Sequence, residues 1–276
     1  MYPILLRAGP LTLYSYTVAL VAGIALGTWV TYARAQNALA RAGARARLSD
    51  AGIVLDAGFW ALLGGILGAR VAYVAANWAY YADHVDKAAN LSEGGLAWHG
   101  ALAGGAAALA LWTYARRRSD PSLPGLRMLL DVAAPGLALG GALGWLGALL
   151  TGSAYGAEAA GFAPPLAWLA ARLPDIYGVV ALRFMTQPAM IVTCLALWGG
   201  LSALGRRTPR PGLLFALYLG GYALADWLLW WLRGDGTWRR GLWLWQWAAL
   251  LEFCVAIGLG VYARLSSLVR SDGGSP

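Results

Sequence analysis

An arginine inside an apolar run is the first place where this sequence could do chemistry. In Gly68-Ala69-Arg70-Val71-Ala72-Tyr73-Val74-Ala75-Ala76-Asn77, the spacings of three and four put Arg70, Tyr73 and Asn77 on one helix face. An ionised group in such a run needs a partner, a watery cavity or a task. Two readings fit: Arg70 grips a phosphate through paired hydrogen bonds, or it pairs with an interior carboxylate such as Asp131. His99 follows Trp98 and opens His99-Gly100-Ala101-Leu102. Its imidazole titrates near working pH and suits a general base, while a lone apolar-face histidine also serves as a hydrogen-bonded packing residue. Asp131, Asp226 and Glu252 are further ionisable groups in apolar segments, each a counter-ion, a proton holder or, more commonly, a structural partner. Cys194 and Cys254 stand in apolar runs without a nearby cation, which argues against a reactive thiol. With two cysteines and two histidines, His84 and His99, a disulfide framework and a zinc site are excluded. No metal and no cofactor is expected.

The elements that position these residues follow from composition. Of 276 residues, 59% are hydrophobic and 12% charged, about half the charge of a soluble domain; mean hydropathy is +0.57. That balance excludes a cytosolic enzyme, a nucleic-acid reader and a disordered tail. The length suits about seven crossings of roughly 20 residues. Uncharged or nearly uncharged stretches run over Leu11–Ala33, Ala51 to about Tyr81, Gly94–Ala115, Met128–Leu150, Gln187–Gly205, Gly212–Leu232 and Leu242–Ala263. The first is too long for a signal-peptide core and lacks a basic leader, so it is expected to be retained. Between the fourth and fifth, the segment 151–186 is broken by Pro164, Pro165 and Pro174 and reads as a long external loop with short interfacial helices. The expectation is an all-α polytopic membrane protein, 1–276 forming a single integral membrane domain.

Charge orients it. The linkers 34–50, 116–127 and 206–210 and the tail after Ala263 hold 13 of the 21 cations; the opposite side holds 7, namely Arg7, Lys87, Arg172, Arg183, Arg233, Arg239 and Arg240, and Arg70 completes the set. By the positive-inside rule the N-terminus is outside and the C-terminus inside. The net charge of +8 then marks cytoplasmic loops rather than a nucleic-acid partner. Arg70 would sit in the outer half of the second span and His99 early in the third, so both are expected to converge on one cavity open to the outer leaflet. Seven of the fifteen tryptophans (Trp227, Trp230, Trp231, Trp238, Trp243, Trp245, Trp247) crowd the turn between the last two spans, as an interfacial aromatic belt would or, alternatively, a lipid-contacting lid.

The order of motifs resembles that of prolipoprotein diacylglyceryl transferase, the bacterial membrane enzyme that moves a diacylglyceryl group from phosphatidylglycerol to a lipobox cysteine. The matching pieces are Leu13-Tyr14-Ser15-Tyr16, Gly65–Val74, Glu93–Gly105, Asp131–Pro135, the glycine frame of Gly140–Gly156, and Thr186-Gln187. The resemblance implies a multi-pass protein of the bacterial plasma (inner) membrane, with His99 as catalytic base and Arg70 on the lipid phosphate. Tyr16, Tyr73, Asn77, Gly100, Asp131, Tyr222 and Asp226 would support them. It departs from the family where the signature Gly-Arg-x-Gly-Asn-Phe-x-Asn-Gly-Glu stands as Gly144-Trp145-Leu146-Gly147-Ala148-Leu149-Leu150-Thr151-Gly152-Ser153. In the sixth span the family's Tyr, Arg, Glu at intervals of four are Tyr218, Tyr222 and Asp226. The two arginines implied to hold the phosphate are thus Trp145 and Tyr222, leaving Arg233, and less directly Arg183, as substitutes. One reading is a divergent diacylglyceryl transferase using phosphatidylglycerol, or another anionic glycerophospholipid, and a lipoprotein precursor. The alternative is a non-catalytic lipid-binding paralogue that kept the fold; a transporter comes third, since no repeated half is visible.

Overall fold

A computed structural model describes residues 2–9, 11–41, 50–91, 94–164, 166–207, 210–235, 238–239 and 242–272. Glu93, Pro165, Arg240 and residues 42–49 of the basic 34–50 linker, including Arg45 and Arg47, lie outside the described residues. The chain opens with a hairpin, β1 (Ile4–Ala8) and β2 (Leu11–Tyr14), followed by helices α1 (Ser15–Arg41), α2 (Asp50–Ala76), α3 (Trp78–Tyr81), α4 (Trp98–Ser119) and α5 (Leu126–Thr151). A second hairpin, β3 (Ala170–Pro174) and β4 (Val180–Phe184), precedes α6 (Thr186–Leu204) and α7 (Leu213–Leu229). A short one, β5 (Trp238–Arg239) and β6 (Leu242–Trp243), leads into α8 (Leu244–Asp272). Among the described residues, six helices are long and apolar enough to cross a membrane. The expected third span, α4, has 22 residues but ends in Arg116-Arg117-Arg118 and is not one of the six.

Two boundaries move from the sequence reading for local reasons. The first helix starts at Ser15, not Leu11, because Leu11–Tyr14 pair with Ile4–Ala8 around Gly9 at φ +59°. Ser15 donates its N–H to the Pro3 carbonyl at 3.0 Å, and its hydroxyl bonds the Tyr2 carbonyl. The second apolar stretch breaks at Asn77, which separates α2 from α3.

Contacts group into two compact units, Tyr32–Val132 on the one hand and Met1–Thr31 with Ala133–Pro276 on the other. In the first, α2 and α4 meet backbone to backbone along Gly64, Gly68 and Ala72 against Gly100, Gly104 and Ala108. A Cβ at Gly104 would lie 2.3 Å from the Gly64 carbonyl oxygen, and one at Gly100 2.4 Å from that of Gly68. Helices in lipid gain little from apolar burial, so close approach through small residues supplies the packing. At one end of this pair Trp112 and Arg116 both donate to Asp56 Oδ2, at 3.1 and 2.7 Å, above a cluster of Ala57, Leu109, Trp112 and Leu129. Gly104→Leu is therefore expected to destroy folding, seen as loss of monodisperse protein on size exclusion. Gly58→Leu, where an added Cβ meets nothing within 4 Å, should leave the yield unchanged.

The second unit uses the same device. A Cβ at Gly27 would lie 2.7 Å from the Gly136 carbonyl oxygen, and one at Gly23 2.8 Å from that of Gly140. The 151–186 segment corrects the expectation of a loop carrying short helices: apart from one 3-10 turn, Leu166–Leu169, it is built on the β3–β4 hairpin, paired from Ala170↔Phe184 to Pro174↔Val180. Asp175 makes the turn, its Oδ1 accepting from the N–H groups of Tyr177 (2.9 Å) and Val179 (3.0 Å), with Gly178 at φ +83°. Residues Tyr155–Ala159 lie extended between this hairpin and the end of the α7 segment. Ala157 donates to the Leu232 carbonyl, Gly234 to that of Tyr155, Phe184 to that of Ala157 and Ala159 to that of Leu182. Prolines stop the helical reading of this stretch; they do not stop edge strands.

Candidate active site

Arg70 is held by loop backbone rather than by the carboxylate of Asp131. It is buried at 7% exposure, and its guanidinium donates to four backbone carbonyls: Nε to Ala88 (2.8 Å), Nη1 to Gly94 (2.6 Å) and Gly95 (3.1 Å), and Nη2 to Lys87 (2.7 Å). Four of five N–H groups are thereby committed. The cation also lies 5.9 Å from the Tyr73 ring centre and 5.3 Å from that of Tyr81, a cation–π cradle. Gly94 and Gly95 adopt φ +77° and +79°, and a Cβ at Gly95 would collide with Tyr73 and Arg70 Nη1, so the loop closes on the guanidinium only because these residues are glycines. Asn77 is exposed and donates its side-chain amide to the Tyr73 carbonyl at 2.9 Å, terminating α2 rather than sharing a site with Arg70.

The same loop fixes the start of α4. The Ala97 N–H donates to the Ala69 carbonyl at 3.1 Å, tying the residue before α4 to the residue before Arg70. Two positions on, His99 is half-buried, beside Gly100, which packs on Gly68. His99 and Arg70 therefore belong to one local frame, in which Arg70 binds the backbone of the loop that leads into α4. Asp131 is buried at 8% exposure near the start of α5 and is not among the Arg70 hydrogen-bond partners.

In the other unit the two positions that depart from the resemblance meet. Trp145 Nε1 donates to the Tyr222 hydroxyl at 3.2 Å, joining α5 to α7; Tyr222 is buried and Trp145 half-buried. Tyr16 is 43% exposed and abuts Gly147, where a Cβ would lie 3.2 Å from its ring. Asp226, buried, accepts from Trp230 Nε1 at 3.0 Å. Trp230 in turn stacks under Arg233, whose guanidinium lies 3.8 Å from its ring centre, and so is no lipid-facing belt residue. The Arg233 fork is closed on Asp235, Nε to Oδ1 and Nη2 to Oδ2, both 2.8 Å. That bidentate geometry is the one a phosphate would need.

Sequence reasoning undervalued two groups. Arg183 is buried between two carboxylates, Asp175 at 3.0 Å and Glu158 at 3.4 Å, and 5.1 Å from the Tyr155 ring centre; it locks the hairpin to the 155–159 strand. Thr186 and Gln187, 1% exposed, donate to the Ala154 and Ser153 carbonyls at 2.9 and 3.0 Å, shaping the turn after α5. The Asp175–Gly178 spacing and two polar residues opening an apolar helix were the available signals.

Comparison with known proteins bears on the whole chain. A family model described as prolipoprotein diacylglyceryl transferase matches residues 3–262. The phosphatidylglycerol–prolipoprotein diacylglyceryl transferase of Synechococcus elongatus is 31% identical over 270 residues, covering 94% of this chain and 85% of that protein. The protein of the same description from Parasynechococcus marenigrum is 33% identical over 236 residues, 80% of this chain and 76% of its own. That of Thermosynechococcus vestitus is 34% identical over 152 residues, a match spanning 55% of this chain and about half, 51%, of the relative.

Proposed function

The chain belongs to the prolipoprotein diacylglyceryl transferase family, a mostly helical, multi-pass membrane protein, and from that premise we propose what it does. It binds phosphatidylglycerol, or another anionic glycerophospholipid, in the bacterial plasma membrane and transfers the diacylglyceryl group, slowly, to the cysteine of a lipoprotein precursor. No nucleic acid enters this reading. The supporting observation is the family match over residues 3–262, which takes in the His99 frame. In the reaction the precursor's thiol gives its proton to the His99 imidazole, the sulfur forms a bond to the glycerol carbon, and the bond from that carbon to the phosphate oxygen breaks. The phosphate leaves with its negative charge. His99→Ala is expected to lower transfer by about a hundredfold or more, the usual share of a general base, measured as thioether product by mass spectrometry on a lipobox peptide. Unchanged product would remove His99 from the mechanism.

The second reading, a lipid-binding paralogue without transfer, is favoured by the Trp145–Tyr222 hydrogen bond, which puts two neutral groups where the resemblance implies guanidinium groups. A binding assay separates the two: both retain phosphatidylglycerol, and only the first yields thioether.

The orientation proposed here keeps the N-terminus and the 151–186 segment outside, and residues 34–50 and the C-terminus inside, on the cation asymmetry. Cysteine introduced at Tyr177, 85% exposed at the β3–β4 turn, is expected to react with an impermeant maleimide on intact cells. Cysteine at Ser119, exposed at the end of α4, should stay unlabelled until the cells are opened; labelling of the Ser119 site from outside would reverse the assignment.

A further inference from the structure

We infer that the Arg117–Arg118 end of α4 carries a second lipid site, a groove for the anionic headgroup of a phospholipid in the leaflet that these arginines face. The groove, about 390 Å³, runs from Ala110 past Tyr114 to Arg117 and Arg118, with Pro121 and Leu126 on its other wall. Its two ends differ in chemistry. Seven residues of helix, about 10 Å, separate Ala110, inside the apolar run, from the arginines at its edge. That is the layout a phospholipid needs, with acyl chain against alanine and leucine and phosphate against guanidinium groups.

The charge at this end is uncompensated. Of three consecutive arginines, Arg116 is paired with Asp56 at 2.7 Å. Among the described residues neither Arg117 nor Arg118 has a carboxylate within salt-bridge distance. The nearby Asp120 turns its Oδ1 to the Ser122 N–H and hydroxyl, at 3.0 and 2.6 Å. Arg117 makes one long bond to the Pro121 carbonyl, 3.4 Å. Arg118 donates to the Tyr114 hydroxyl at 2.5 Å and lies 4.5 Å from that ring's centre. Each guanidinium keeps most of its N–H groups for an anion, and the Tyr114 hydroxyl retains its own proton to donate. Tyr114 is exposed at 60%, as an aromatic at the lipid boundary is. A basic pocket at helix ends is a general form of anionic-lipid recognition. The site is independent of the transfer chemistry, and it stands whether or not His99 catalyses anything.

The test is native mass spectrometry of the full chain in detergent, mixed with equal phosphatidylglycerol and phosphatidylcholine. The expected result is retained phosphatidylglycerol, reduced about 25-fold in one bound equivalent by Arg117→Gln with Arg118→Gln, or roughly fivefold per arginine. Arg206→Gln with Arg207→Gln removes two cations from another helix end and should leave that equivalent in place. Ala110→Phe fills the groove without touching charge and should remove it too, which keeps the test decisive if the arginine variant misfolds. Equal loss in the Arg206/Arg207 variant would reduce the effect to bulk charge and overturn the proposal. So would full displacement by millimolar inorganic phosphate, which would make the ligand a free anion, or retention in both groove variants.

Discussion

Purified and mixed with phosphatidylglycerol and a lipobox peptide, this protein is expected to form thioether at a rate several orders of magnitude below that of a relative carrying both signature arginines. It is also expected to fail to rescue a transferase-depleted strain. The argument is one of charge. A phosphate departs as an anion in a site poor in water, where preorganised cations are worth far more than in bulk solvent. Losing one such contact costs about 2.7–4 kcal/mol, two to three orders of magnitude in rate, and here two positions are changed. Trp145 donates to the Tyr222 hydroxyl, and neither side chain brings a positive charge. Arg233, the strongest substitute by sequence, has its fork filled by Asp235, and Arg183 is held by Asp175 and Glu158. Robust rescue with efficient product formation would refute the expectation. In that case Asp235→Asn should raise the rate further and Arg233→Ala abolish it, if Arg233 has taken over the phosphate.

Six of the seven expected spans were legible because apolar runs of twenty residues state their own length, and the resemblance carried the order of the motifs. The hairpins were not. Leu11–Tyr14 continue an apolar run without a break, and only their pairing with Ile4–Ala8 distinguishes strand from helix. Pairings distant in sequence were equally hidden: nothing in one sequence joins Trp145 to Tyr222, 77 positions on. Asp226 was weighed as a structural partner, and its hydrogen bond from Trp230 has that character. For Arg70 the sequence offered a phosphate or a carboxylate and gave no hint of the four loop carbonyls that it binds. Backbone acceptors have no side-chain signature, so the only trace of this arrangement was the pair Gly94-Gly95, which the motif match recorded without its reason.

That arrangement carries the second large effect. Replacing Arg70 by alanine is expected to destabilise the protein by about 3 kcal/mol, since hydrogen bonds to a charged donor are worth about 1.5–3 kcal/mol each and the guanidinium that makes them is itself buried. Four carbonyls, on Lys87, Ala88, Gly94 and Gly95, lose their donor at once, and Tyr73 and Tyr81 lose the cation beside them. Lysine cannot stand in: its three N–H groups radiate from one atom, whereas the guanidinium spreads its donors across a rigid plane. Arg70→Lys should therefore recover only a fraction of the loss, with hydrogen exchange accelerated across residues 87–97 in both variants. Because Ala97 anchors α4 through the Ala69 carbonyl, His99 should lose its fixed position, and any transfer activity should fall together with amide protection. A phosphate-binding role for Arg70 makes a different forecast. Lysine would then leave the thermal midpoint and the exchange of the 87–97 amides at wild-type values, while weakening phosphatidylglycerol binding alone. Wild-type protection of that loop in Arg70→Ala would show that the carbonyls find other donors and that the guanidinium does not hold the frame of His99.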